Sequence, residues 1–437
     1  MKKLFILLWL GTRAFAQDPA GVQETPVKIV GVAPLDMDRV EQIAAMLPAA
    51  PRGFGDPCRQ RDAWSRLKAS GRYDGVIRAA DGYLDKPFPE FDEPLYMRMF
   101  THGDSQSGKD MQSGRVRWLT ALTWAECLTN EGKYVPKIEE VIKGIITQKS
   151  WVNPRNYLER NHKRLVELAA ASYAQNLAQT VYLLGDKLAP STIAGVNEAI
   201  SSRVLMPILA TIDGQNNDHG WLTATNNWNA VCLAGITIAA LTIVEDKRER
   251  AKYVAIAERY HQNFIAGFPD DGYCSEGIGY YNYGFGHFIA LREIVWQSTK
   301  GKLDFFRHPK MKKIAAFGIR TEIINDAFPA IADCKEGSQP AGPIVWYAAR
   351  NLGGSTPKYG DQPPAGGASD LATDVMYAFP NTASMKKEAG TETDPDLGLR
   401  SFFDVAGILI VRPGTVNGPG MGAALKGGNN AEHHNHN

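Results

Sequence analysis

Between about residues 110 and 330, apolar positions recur at spacings of three and four. The series runs Val116-Trp118-Leu119-Leu122-Trp124-Ala125, then Ile138-Val141-Ile142-Ile145, then Leu165-Leu168-Ala169-Tyr173-Leu177-Val181. That period places one side of each segment against a core, as in amphipathic helices. Short polar or glycine-bearing breaks divide the segments at Thr129–Gly132, Gly185–Lys187, Pro190-Ser191, Asp213-Gly214, Asp270–Gly272 and His308-Pro309. From Ala230 to Val244 the chain is nearly all apolar. This run is too short for a bilayer, which needs about 20 residues, and it predicts a helix buried on every side. Helix pairs in series around an enclosed helix predict a mainly α fold, an α/α toroid. The pattern changes after about residue 335. Gly337–Gly367 is rich in Gly, Pro and Ser and reads as a linker. Phe402–Val411 reads as a β-rich run and Gly422–Lys426 as a short strand. The expected division is a toroid over residues 17–370 and the beginning of an antiparallel β-domain over 371–437.

The N-terminus adds a compartment. Met1-Lys2-Lys3, the apolar stretch Leu4–Leu10 and Ala14-Phe15-Ala16 follow the charge, apolar core and small-residue order of a cleavable signal peptide over residues 1–16. A periplasmic or secreted protein is expected, with no membrane span. Lys and Arg number 48 against 47 Asp and Glu, so no strong field favours nucleic acid as a partner. The five cysteines are scattered without a CxxC pair, which excludes a zinc ribbon or a disulfide-dense scaffold. Cys232 and Cys274 lie in apolar or aromatic surroundings and read as core. Three of the nine histidines fall in the last five residues, His433-His434-Asn435-His436-Asn437. Such chemistry is seldom placed where no scaffold holds it, so the chain is expected to stop inside an active-site strand.

Two internal stretches carry candidate chemistry. Asn226-Asn227-Trp228-Asn229 stands at the head of the apolar helix. One asparagine suffices as an N-cap; three around a tryptophan suggest a polar site at the toroid's mouth. The second stretch runs from Asp271 to His287. If it is helical from Glu276, then Glu276, Tyr280, Tyr283 and His287 fall within about 60° of one another, and Tyr281 points elsewhere. Glycines at 277, 279, 284 and 286 leave room for a ligand or a neighbouring backbone to approach.

These two stretches and the terminal His434-Asn435-His436-Asn437 resemble the three signature segments of the heparinase II/III-like superfamily, in the same order and over about residues 100–437. The resemblance implies an α/α toroid followed by an antiparallel β-sandwich, and an enzyme that cleaves a uronic-acid polysaccharide by β-elimination. It implies Asn227 as neutraliser of the substrate carboxylate, with Asn226 in support. Tyr283 would be the proton donor to the leaving oxygen, and a base as well only if its pKa fell from about 10. His434 would assist or abstract the proton itself. Members often carry histidine where Trp228 stands here, which favours a tyrosine-centred mechanism. Trp228, Glu276, Tyr280, His287 and Arg117 are further candidates for binding an acidic polysaccharide. Arg98, His102, Arg115, Trp118 and Trp124 are weaker candidates of the same kind. His436 resembles a metal ligand or orienting residue of the β-domain, where a structural divalent metal is the expected cofactor; the elimination itself needs none. A uronyl C5-epimerase and a toroidal glycoside hydrolase, with Asp270 or Asp271 paired to Glu276, are the alternatives.

Overall fold

The computed structural model describes residues 28–159, 161–353, 369–381, 398–413 and 420–428. The expected signal peptide, His434 and His436 lie outside these residues. The helices are α1 (Met37–Met46), α2 (Arg61–Ala69), α3 (Asp74–Leu84), α4 (Glu93–His102), α5 (Gln106–Thr129), α6 (Val135–Ile146), α7 (Leu168–Leu184), α8 (Pro190–Ile200), α9 (Met206–Ile212), α10 (Asn227–Ile243), α11 (Lys247–Ala266), α12 (Gly277–Ser298), α13 (Met311–Arg320), α14 (Gly342–Leu352) and α15 (Leu371–Ala378). Strands β1 (Arg400–Phe403), β2 (Ile408–Val411) and β3 (Ala423–Lys426) follow. The fold is mainly α, with helices packed in layers around α10 and a small three-stranded antiparallel sheet after them.

Helix α10 is the centre of the packing. Its residues from Asn229 to Thr242 are buried on every side, because it is enclosed by α7, α11 and α12. A helix without a polar face gains most when its whole circumference leaves water, at about 25 cal/mol per Å² of apolar surface. Gly235 makes the α7 contact possible: a Cβ there would stand 2.7 Å from the Ala171 carbonyl oxygen. The next layer is amphipathic. Helix α6 turns Ile138, Val141, Ile142 and Ile145 inward. Helix α1 packs on α11, where Arg39 grips Glu258 through Nε at 2.8 Å and a second nitrogen at 2.5 Å.

Helix α8, a π-turn over Ser201–Leu205 and α9 form one continuous run, Pro190–Ile212. Pro207 lacks the N–H that would continue the ladder, and a π-turn is a common way to accommodate such a break. By length and composition this run is apolar enough to cross a membrane. Here α8 packs on α6 and α7. Cys58 and Cys127 form a disulfide that ties the segment before α2 to the end of α5. Arg61 donates to the carbonyls of both cysteines at 2.7 Å.

Three expectations need correction. The Gly/Pro/Ser-rich segment contains helix α14, whose Ile344–Ala349 stretch is buried; the four-residue apolar core Ile344-Val345-Trp346-Tyr347 outweighs the surrounding composition. The helical body runs past residue 370, because α15 packs on α7 and α12. The run Phe402–Val411 is two strands, not one. It folds back at Asp404–Gly407, where Gly407 has φ +60°, so β2 pairs with β1 on one side and β3 on the other. The sheet buries Phe403, Ile408 and Ile410. It is pinned by Arg320, which donates to the Phe402 carbonyl at 3.2 Å and to the Asp271 carbonyl at 2.7 Å. The sheet therefore props the loop that leads into α12.

Candidate active site

The head of α10 and the start of α12 come together. Asn226 has extended backbone geometry and accepts from the Trp228 N–H at 3.2 Å, so it is the helix N-cap. Asn229 is spent on structure, donating to the carbonyls of Trp221 and Leu222. Asn227 is different. Its amide nitrogen donates to both oxygens of Glu276, at 2.8 and 3.0 Å, and its backbone N–H donates to the same carboxylate at 3.4 Å. Its amide oxygen is buried without a hydrogen-bond partner. Two glycines permit this approach. Gly277 turns into α12 with φ +81°, and a Cβ there would meet the Ile331 carbonyl at 2.5 Å. A Cβ on Gly284 would press the Cβ of Asn227 at 3.0 Å.

Asn226, Asn227 and Glu276 line a cavity of about 210 Å³ together with Thr225, Phe264, Gly267, Phe268, Cys274, Ser275 and Tyr280. One wall is apolar, with Phe264 and Phe268 packed edge to face. The opposite wall is amide, carboxylate and phenol. Among the described residues no Lys, Arg or His lines the recess. Burial pushes the Cys274 thiol up to about 12, which keeps it neutral and inert.

Tyr283 lies one turn beyond Tyr280 on the same face of α12; both are partly open to solvent, at 36% and 39%. Tyr281 points the other way, buried, donating to the Ala315 carbonyl at 2.9 Å. Burial, followed by the neighbouring Cys232, Glu167 and Asp370, raises the Tyr283 pKa above that of an ordinary phenol. Solvent screens part of this push, but these influences share one direction. They favour the neutral phenol. His287 stands edge-on to Tyr283 with ring centroids 4.9 Å apart. Its Nδ1 lies 2.8 Å from the Tyr283 carbonyl oxygen and its Nε2 lies 3.8 Å from Asp370. Asp370 also accepts from Gln175.

Among the residues read from the sequence, the structure gathers Asn226, Asn227, Glu276 and Tyr280 in the recess, with Tyr283 and His287 following along α12. Trp228 is half-buried against the core and does not line the recess. Arg117 is exposed on α5 and joins neither group. Its neighbour Arg115 is buried and committed to Gln148, Gly144 and Pro89. Arg98 pairs with Asp104, His102 is exposed, and Trp118 and Trp124 are core residues. Cys232 and Cys274 are buried, as expected. Of the hydrolase pair, Asp270 is exposed and pairs with Lys310, whereas Asp271 accepts from the Tyr273 N–H. Glu276 is the carboxylate that faces the recess. Phe264, Phe268 and Asp370 had no sequence signal, since the first two reach the site from the end of α11 and the third from the N-cap of α15. Among the described residues no group of three or more His, Cys, Asp or Glu is arranged to hold a metal.

No protein-family model matches the chain, and no curated protein matches it. Among solved structures, an alginate lyase from Bacteroides ovatus is similar at 12% identity and a TM-score of 0.47, covering 76% of this chain and 97% of that one.

Proposed function

We propose that this protein is a polysaccharide lyase that cleaves a uronic-acid polymer by β-elimination. The observation that carries this reading is the joining of three separated sequence features. An amide at the head of the buried helix, a carboxylate 49 residues later and a tyrosine face on α12 meet at one recess. Elimination needs the C5 proton made acidic by neutralising the adjacent carboxylate, a base to remove it, and an acid for the departing O4 oxygen. Asn227 supplies the amide at the recess. Tyr283, held neutral by its surroundings, supplies the proton to the leaving oxygen. The base falls to His434, in keeping with the resemblance of the terminal segment. The hydrolase alternative is less favoured, because neither Asp270 nor Asp271 lines the recess beside Glu276.

Export through the N-terminal signal fits the Cys58–Cys127 disulfide, since such bonds persist in oxidising compartments. The test is to incubate the protein with alginate, glucuronan, hyaluronan and heparin and to follow ultraviolet absorbance. A conjugated unsaturated uronate must form. Reducing ends without absorbance would indicate hydrolysis, and solvent deuterium at C5 without cleavage would indicate the epimerase.

A further inference from the structure

Helix α12 carries a single asparagine, Asn282, between two tyrosines that turn to opposite faces. Its amide nitrogen donates to the Gln339 carbonyl at 2.8 Å, and its amide oxygen accepts from the Ala341 N–H at 2.9 Å. Both partners belong to the loop 321–341, which joins α13 to α14. The loop turns back near its start, where the Ile323 N–H donates to the Ala327 carbonyl at 2.8 Å. Gln339 then crosses to that turn, donating from Nε2 to the Asp326 carbonyl at 3.1 Å. The middle of the loop presses on the first turn of α12. A Cβ on Gly277 would lie 2.5 Å from the Ile331 carbonyl oxygen and 3.0 Å from the Cys334 Cβ. Asp333 is close enough to Tyr280 for its charge, after burial, to raise that phenol. Glu276 and Tyr280, which bracket this turn, both line the recess. The loop keeps its shape against strain. Asn325, Asp326 and Ala332 have left-handed backbone, at φ +47°, +63° and +58°. Asparagine and aspartate adopt that region readily, whereas an alanine Cβ crowds the following carbonyl there. Such strain persists where surrounding contacts impose it, and Asn282 supplies two of those contacts from one side chain.

Building on the lyase reading, we infer that Asn282 is a positioning residue: by clamping the loop 321–341 it presses the first turn of α12 inward and sets the width at which the recess admits a sugar. Asn282 does not itself line the recess and acts through Ile331 and Cys334 on Gly277. With the clamp gone, Ala332 can relax to a right-handed backbone, the Ile331 carbonyl leaves Gly277, and the turn from Glu276 to Tyr280 moves outward. Substrate and transition state then lose the same contacts, so KM rises and kcat holds.

The free cysteines report these movements without turnover. Cys334 lies in the loop, Cys274 lines the recess, and Cys232 is buried within α10. The native full-length protein is treated with iodoacetamide, and the rate at each thiol is read by peptide mass. In Asn282→Ala the rates at Cys334 and Cys274 should rise about tenfold, the local opening that follows loss of one or two such hydrogen bonds, while Cys232 stays protected. On the polymer that is cleaved, KM should rise and kcat stay near the parent's. An unchanged Cys274 rate would overturn the inference. So would a rise at all three thiols together, which is general loosening, or an unchanged KM alongside the exposed thiols. If Asn282→Ala does not fold, Gln339→Ala removes the tie to Asp326 and leaves α12 intact; it must then expose the same two thiols and spare the third. Exposed thiols with no cleavage of any polymer by either protein would sink the lyase reading and leave the clamp standing. Cleavage with an unchanged Cys274 rate would do the reverse.

Discussion

The two halves of α12 treat buried polarity in opposite ways. The C-terminal half carries Arg292, 3% exposed, whose guanidinium donates to both oxygens of Asp304 at 2.8 and 2.9 Å and also to Glu293, Tyr347 and Asn351. It also lies over the rings of Trp296 and Phe306. Tyr347 donates to Glu293 in turn, so the charges there are closed on one another. The N-terminal half is spaced with glycines, presents Tyr280 and Tyr283 to solvent, and leaves the Asn227 oxygen across from it without a partner. An unpaired buried polar atom costs about 1–3 kcal/mol, and a fold tolerates that where something else is to bind. The closed half holds α12 in place against α14; the open half is what it holds in place.

That contrast breaks first at Tyr283. Tyr283→Phe should lower the elimination rate by about 10²–10⁴-fold, the usual range for a lost general acid, and leave the thermal midpoint near that of the parent. Full activity in this variant, measured by ultraviolet absorbance, would remove the open half from the chemistry. Arg292→Met should do the converse. It leaves Asp304 and Glu293 without their cation, which costs about 3–5 kcal/mol in a buried pair. Urea unfolding would show the loss, whereas the KM of whatever remains folded should hold. Tyr281→Phe sits between them in position. It removes the donor to the half-buried Ala315 carbonyl and should cost about 1 kcal/mol of stability with little change in rate. A rate loss in Tyr281→Phe comparable to that in Tyr283→Phe would mean that the two faces of α12 are not functionally distinct.

Much of this was legible from spacing, and the exceptions are physical. The face shared by Glu276, Tyr280, Tyr283 and His287, with Tyr281 turned away, follows from helical geometry once the segment is helical. The burial of α10 follows from its unbroken apolar run. What spacing hides is tertiary partnership. Nothing in the row Asn226-Asn227-Trp228-Asn229 says that the first would cap, the second meet Glu276 and the last hold the backbone at Trp221. Arg115 and Arg117 are the same residue type two positions apart, yet half a turn of helix buries one and exposes the other. The pairing of Cys58 with Cys127 spans 69 residues and leaves no local trace. Helix α14 was obscured because glycine and proline flank it on both sides.

The smallest expected effect lies in the same asparagine row. Asn226 accepts from the Trp228 N–H, so Asn226→Ala should cost about 1 kcal/mol through the lost cap, and Asn226→Gly only a few tenths. If Asn226 is a cap and nothing more, activity should follow stability: the Gly variant near the parent in both, the Ala variant slightly lower in both. Asn227→Ala should separate the two measures. It removes the donor that both Glu276 oxygens use, so the rate should fall far more than the midpoint. Side-by-side melting curves and absorbance rates for the three variants test this ordering. A rate loss in Asn226→Gly as deep as that in Asn227→Ala would move Asn226 from the scaffold into the site and erase the division drawn between neighbouring amides.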